Sequence, residues 1–191
     1  MEVLAIDPGG VTGLAHLSSP DEKNFTFYTG AILRKNHHKF LWEFLDLHYQ
    51  LHGDLIIVFE TFDYRVITND EGHAYQGLSL ISCEYIGVIK LFCAHYDIPF
   101  VTQSPSLAMG DKVLWTEAKL KAYGFHTKGS KSTNGAPDIN SAMRHLLTYV
   151  TTNKQVSRNL RNSVLRSSSN IQDNYKRMNA IYPALFGVST K

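Results

Sequence analysis

No apolar run in the sequence approaches the roughly 20 residues that a helix needs to cross a bilayer. The first residues, MEVLAIDPGG, carry neither the basic start nor the small-residue cleavage site of a secretory signal. A soluble, unexported, cytoplasmic protein is expected, with no membrane partner. Cysteine is nearly absent. Cys83 and Cys93 are the only two, in a segment that reads as helical, where ten residues span about 15 Å and put a disulfide out of reach. This excludes a disulfide-stapled secreted fold. Zinc is disfavoured too, because no Cys/His set has suitable spacing. At 191 residues, 43% hydrophobic and 19% charged, the chain can build one domain with a real core but not comfortably two.

The net charge of +2 is unremarkable, but its distribution is uneven. After Thr152 the cations are Lys154, Arg158, Arg161, Arg166, Lys176, Arg177 and Lys191, against the single anion Asp173. The preceding part is therefore slightly acidic. That contrast suits an acidic metal site joined to a phosphate-binding extension, or equally a solvated tail. The expected organisation is a domain over 1–150 and a basic C-terminal extension over 151–191.

Along the chain, Val3 to Asp7 reads as a short apolar strand, and Pro8-Gly9-Gly10 as a turn into a second run, Gly13 to Leu17. Phe25 to Leu33 fits a third strand and completes an antiparallel meander. Residues 37–52 have helical spacing. LIIVFE, residues 55–60, has the continuous apolar character of a buried parallel strand. A long helix over 75–96, a strand over 98–103, a short helix from Ser104-Pro105, a helix over 111–123 and a last helix from Pro137 or Asp138 to about Tyr149 follow. This order predicts an α/β fold: a mixed five-stranded sheet, antiparallel meander plus parallel strands, flanked by helices in three layers.

Three carboxylates stand at element ends. Asp7 closes the first strand, and the glycines after it leave room for another backbone to come close. Taken alone, an Asp before Pro-Gly reads as a turn residue. Glu60 closes five consecutive apolar residues, where an ionised side chain loses solvation unless a cation compensates. Asp138 begins a helix, where capping is the default role. Ser141 and His145 follow it at spacings of three and four, which puts all three on one helical stripe. Such acids can converge in a three-layer fold, and two charges 4 Å apart repel by about 4 kcal/mol at an effective dielectric near 20. A cluster of three demands a cation. Oxygen ligation with open positions suits Mg²⁺, with Mn²⁺ as a substitute, and a pair of such ions can drive phosphodiester hydrolysis.

IDPGGVTG, LIIVFETF, a long helix, IPFVTQSPS and PDINSAMRHLL, in this order and spacing, resemble the RuvC family of Holliday junction resolvases within the RNase H-like superfamily. The resemblance covers about residues 2–150. It implies that Asp7 bridges two metal ions, that Glu60 holds one of them and that Asp138 supplies the carboxylate of the last helix. The family often has a second acid three residues further on, where this chain has Ser141, and His145 is the candidate substitute as metal ligand or water-orienting group. The resemblance also implies a homodimer acting on branched or four-way-junction DNA. Phe62 and Tyr64 stand where the family tends to present a junction-wedging aromatic. Arg65, Lys112, Lys128, Lys131 and Arg144 are candidate phosphate contacts.

Two further functional classes fit parts of the pattern. Asp7, Gly9, Thr12 and Gly13 also resemble the phosphate hairpin of actin-like or sugar-kinase-like phosphotransferases, although no second copy of the domain follows. The missing acid at Ser141 suits a catalytically inactive module that only binds branched nucleic acid. A nuclease of the same fold acting on RNA, flaps or forks shares every feature named above. The small size and the unusual tail suggest a viral or phage version, working in the host cytoplasm or a nucleic-acid compartment.

Overall fold

The computed structural model describes residues 1–33, 37–61, 81–105, 114–130, 134–166 and 175–178. The first three strands are β1 (Glu2–Asp7), β2 (Thr12–Ser18) and β3 (Thr26–Ile32), followed by helix α1 (His38–His52) and strand β4 (Leu55–Glu60). Helix α2 (Ile81–His95), strand β5 (Phe100–Gln103) and helices α3 (Glu117–Ala122), α4 (Ala136–Thr152) and α5 (Arg158–Arg166) complete the order, with a short last strand β6 (Tyr175–Arg177). The sheet runs β5-β4-β1-β2-β3-β6. β1, β2 and β3 pair antiparallel, whereas β4 lies parallel to β1 and β5 parallel to β4. The five expected strands are all present in the expected senses.

Strand alternation sorts the core into two layers. Val3, Ala5, Ala15, Leu17 and Val58 face α4, packing on Met143, Leu146, Leu147 and Val150. Leu4, Ile6, Leu14, Ile57 and Phe59 point the other way, to Leu41, Phe44 and Leu45 of α1 and Ile89 and Phe92 of α2. Asp7 and Glu60 continue the first of these alternations, so both acids emerge on the α4 face. No helix among the described residues is long and apolar enough to cross a membrane.

Two features depart from the sequence reading. Described residues beyond 150 pack onto the domain: α5 buries Leu160 and Val164 in the α4-side core, and β6 adds a sixth, parallel strand beside β3. Local periodicity there is weak because only one narrow stripe of α5 is apolar and β6 is three residues long. In addition, α4 starts at Ala136 behind Gly135, whose φ of 65° is the left-handed conformation that glycine accommodates. Asp138 is therefore not the cap but a first-turn residue. Of the other helices expected, α3 is described only over 117–122, and the short helix after Ser104 falls on residues outside the described ones.

Candidate metal centre at the strand ends

Asp7 pairs with Gly13 across β1 and β2. A Cβ at Gly13 would collide with the main-chain carbonyl of Asp138. The glycine is thus what lets the first turn of α4 lie directly on the strand end beside Asp7. α4 then projects its polar stripe across β1, β4 and β5. The Ser141 hydroxyl donates to the Asp7 carboxylate. One turn on, His145 Nε2 lies 2.8 Å from Glu60 Oε2, and His145 Nδ1 lies 2.7 Å from Gln103 Oε1. The Gln103 amide in turn donates to the His145 carbonyl at 3.2 Å. Gln103 ends β5 on the same sheet face as Glu60 ends β4, and the two residues are register partners.

The electrostatics mark the same point. Asp7 is pushed up to about 7, first by burial and then by the negative charge of Glu60, with His145 and the Ser141 hydrogen bond pulling it back and Asp138 adding to the rise. Four side chains distant in sequence act on one carboxyl group. Glu60 and Asp138 flank it without offering, together with Asp7, one oxygen each inside a 4.8 Å group. Two ligands of one Mg²⁺ lie at most about 4.2 Å apart, given bonds of about 2.1 Å. The arrangement is therefore wider than a single compact ion cage. Its donor set, three partly buried carboxylates that repel one another, fits hard divalent cations. His145 is in the cluster, but each of its nitrogens already faces an oxygen, Glu60 on one side and Gln103 on the other.

Arg144 is half-buried, donates through Nε to the Trp115 carbonyl at 3.1 Å, and carries a guanidinium that interacts with both Glu117 and Asp7. Lys128 is exposed in the loop before α4, which Asn140 ties down by accepting from the Thr127 amide at 2.8 Å and donating to its carbonyl at 3.0 Å. Phe62, Tyr64, Arg65, Lys112 and Lys131 lie outside the described residues. Thr12, part of the alternative phosphate-hairpin pattern, is buried and donates to the Gly9 carbonyl at 3.1 Å while lying 2.8 Å from His37 Nε2.

Two participants escaped the sequence reading. Gln103 was legible in principle, since it ends a strand in the same way as Glu60 does. The other is a group far from the acids. His16, His48 and His52 place one nitrogen each within 4.8 Å of one another, which corrects the expectation that no Cys/His set is suitably arranged. The signal available was the one-turn spacing of His48 and His52.

Fold and site together define a three-layer α/β domain with an acidic cluster at the ends of its central strands. No family model matches the chain, and no curated protein matches it in sequence. Among solved structures, it is similar to Thermus thermophilus RuvC in complex with a Holliday junction substrate, with a TM-score of 0.50, 14% identity, and 78% of this chain and 94% of that one covered. A second Thermus thermophilus RuvC structure gives a TM-score of 0.48 at 14% identity, covering 78% and 95%. The Fowlpox virus resolvase, in complex with Holliday junction DNA, gives 0.42 at 14%, covering 74% and 95%. The chain has the RuvC-like, RNase H-like fold.

Proposed function

We propose that the protein is a metal-dependent endonuclease that cleaves phosphodiester bonds in branched DNA, acting as a Holliday junction resolvase. The observation that carries this reading is that Glu60 and Asp138 both act on the Asp7 carboxyl at the strand ends, which burial and these acidic neighbours raise to about 7. In the proposal Asp7, Glu60 and Asp138 would hold two Mg²⁺ ions, or Mn²⁺ in their place. When bound, the ions supply charge neutralisation and water activation for hydrolysis.

The chain's own residues do the rest. His145, fixed by Gln103, holds one Glu60 oxygen and so sets the orientation of the other. Ser141, where the resemblance leads one to expect an acid, donates to Asp7 and favours its ionised form. Arg144 and Lys128 bind phosphate, and Phe62, Tyr64, Arg65, Lys112 and Lys131 extend that contact in the same proposal. A homodimer would set two such pockets on opposing strands of the junction.

The test compares a synthetic four-way junction with a linear duplex of the same sequence, in Mg²⁺ and in chelator. Junction-selective, Mg²⁺-dependent nicking supports the proposal. Equal cutting of both substrates would move the protein to a general nuclease, and binding without cutting to an inactive junction-binding module.

A further inference from the structure

On the sheet face opposite the acids, and at the opposite end of β1, three histidines from two elements meet. His16 shares its side of β2 with Leu14 and so faces α1, where His48 and His52 stand one turn apart. The ring centroids form a near-regular triangle: 4.4 Å from His16 to His48, 4.7 Å from His16 to His52 and 4.5 Å from His48 to His52. One nitrogen from each lies within 4.8 Å of the other two. Glu2 sits behind them, with Oε2 at 2.8 Å from His16 Nε2 and 3.5 Å from His52 Nδ1, and with Oε1 accepting from the Ser18 hydroxyl at 2.9 Å. Each of those two rings thus has one nitrogen turned to a carboxylate. Their other nitrogens, His16 Nδ1 and His52 Nε2, are buried with no hydrogen-bond partner.

A buried polar atom without a partner is destabilising, and an aliphatic side chain would fill the same volume without that cost. Burial also holds His16 below its ordinary range and His48 well below it. Neutral imidazole is the form that ligates metals, and a carboxylate on the far ring nitrogen is the recurring way in which metal-binding histidines are oriented.

We propose that His16, His48 and His52 form a second metal site, for a transition-metal ion of the Zn²⁺ type, with Glu2 orienting two of the rings. Tetrahedral Zn–N bonds of 2.0–2.1 Å put ligand nitrogens roughly 3.3 Å apart, so modest ring rotations within the 4.8 Å group complete the set. The fourth position falls to water. Side-chain exposures of 18% for His52 and 14% for Glu2 give the ion a path in. Imidazole donors select against Mg²⁺, so the two sites take different ions. Five residues of strand, about 17 Å, separate Glu2 from Asp7. The ion would therefore act structurally, fastening α1 to β1 and β2.

The test uses the tag-free, full-length protein, stripped with chelator and titrated with Co²⁺. Intense visible ligand-field bands of four-coordinate Co²⁺ should saturate at one equivalent and disappear on adding Zn²⁺. They should persist in Asp7→Asn and weaken at least tenfold in apparent affinity in His52→Gln, the mildest change because His52 is at the rim. His48→Asn gives the same comparison should His52→Gln fold poorly by near-ultraviolet circular dichroism. Zn²⁺ should also raise the melting temperature of the wild type and not of the histidine variant. Absence of stoichiometric Co²⁺ uptake, wild-type affinity in the histidine variants, or loss of the bands in Asp7→Asn would each overturn the site.

Discussion

His145 Nε2 and Glu60 Oε2 lie 2.8 Å apart, joining the last long helix to the end of the fourth strand, and the opposite side of the same ring is fixed 2.7 Å from Gln103 Oε1. A ring held from both sides cannot turn a lone pair towards an ion without giving up one of these contacts. His145 is therefore read as a positioning residue that aims Glu60. Positioning groups behind metal ligands are typically worth about 10–100-fold in activity or metal affinity. In His145→Ala, single-turnover junction cleavage should fall by that order and the Mg²⁺ concentration for half-maximal rate should rise. Gln103→Leu should reproduce part of both effects. Full activity in His145→Ala removes the residue from the mechanism.

Asp7 gives the metal-free protein a distinctive pH dependence. Its carboxyl titrates near pH 7 when folded and near its ordinary value of 3.8 when unfolded. Between these pH values the native state binds the more protons, so stability falls as pH rises from about 4 to about 7 and is flat beyond. Three pKa units correspond to at most about 4 kcal/mol. Urea denaturation in chelator should show Asp7→Asn equal to wild type near pH 4 and more stable near pH 8. Mg²⁺ affinity should rise up to about tenfold per pH unit below 7 and then level off, because the ion displaces the proton. A pH-independent difference between the two proteins would remove Asp7 as the perturbed acid.

Gly13→Ala tests the approach of α4 to the strand end. The new methyl would meet the Asp138 carbonyl and the Ile139 nitrogen, which are main-chain atoms and cannot rotate away. Overpacking of this kind costs about 1–3 kcal/mol or more. The expected result is a lower denaturation midpoint together with reduced cleavage, since Asp138 moves with the helix. A stable and fully active Gly13→Ala protein would mean that α4 need not sit where it does.

Much of this was legible in the sequence. The strand ends at Asp7 and Glu60 and the polar stripe of Asp138, Ser141 and His145 follow from periods of two and 3.6, and the fold brings these side chains onto one carboxyl group. What local pattern could not supply is contact between distant elements. His16 stands in an apolar strand, and only the packing of α1 brings His48 and His52 to it. Gln103 acquired a role only when β5 took its place beside β4. The tail reads as solvated because α5 has few apolar residues, yet Leu160 and Val164 are both buried.

That burial makes a prediction about the tail. Arg161, one of its cations, donates to the carbonyls of Val150 at 3.3 Å and Asn153 at 2.8 Å, holding the end of α4. Leu160→Ala should cost about 2–5 kcal/mol in chemical denaturation, as for other buried leucines. Truncation after Thr152 should lower the melting temperature as well as weaken DNA binding. A truncated chain of unchanged stability would show the extension to be dispensable to the fold.

The most direct measurement is the single-turnover cleavage rate of a labelled four-way junction by Asp7→Asn, Glu60→Gln and Asp138→Asn in Mg²⁺, with junction binding checked in Ca²⁺. Each variant is predicted to bind the junction and to lose at least roughly 1,000-fold in rate, about 4 kcal/mol of barrier. Wild-type cutting by any one of the three would contradict a shared metal centre.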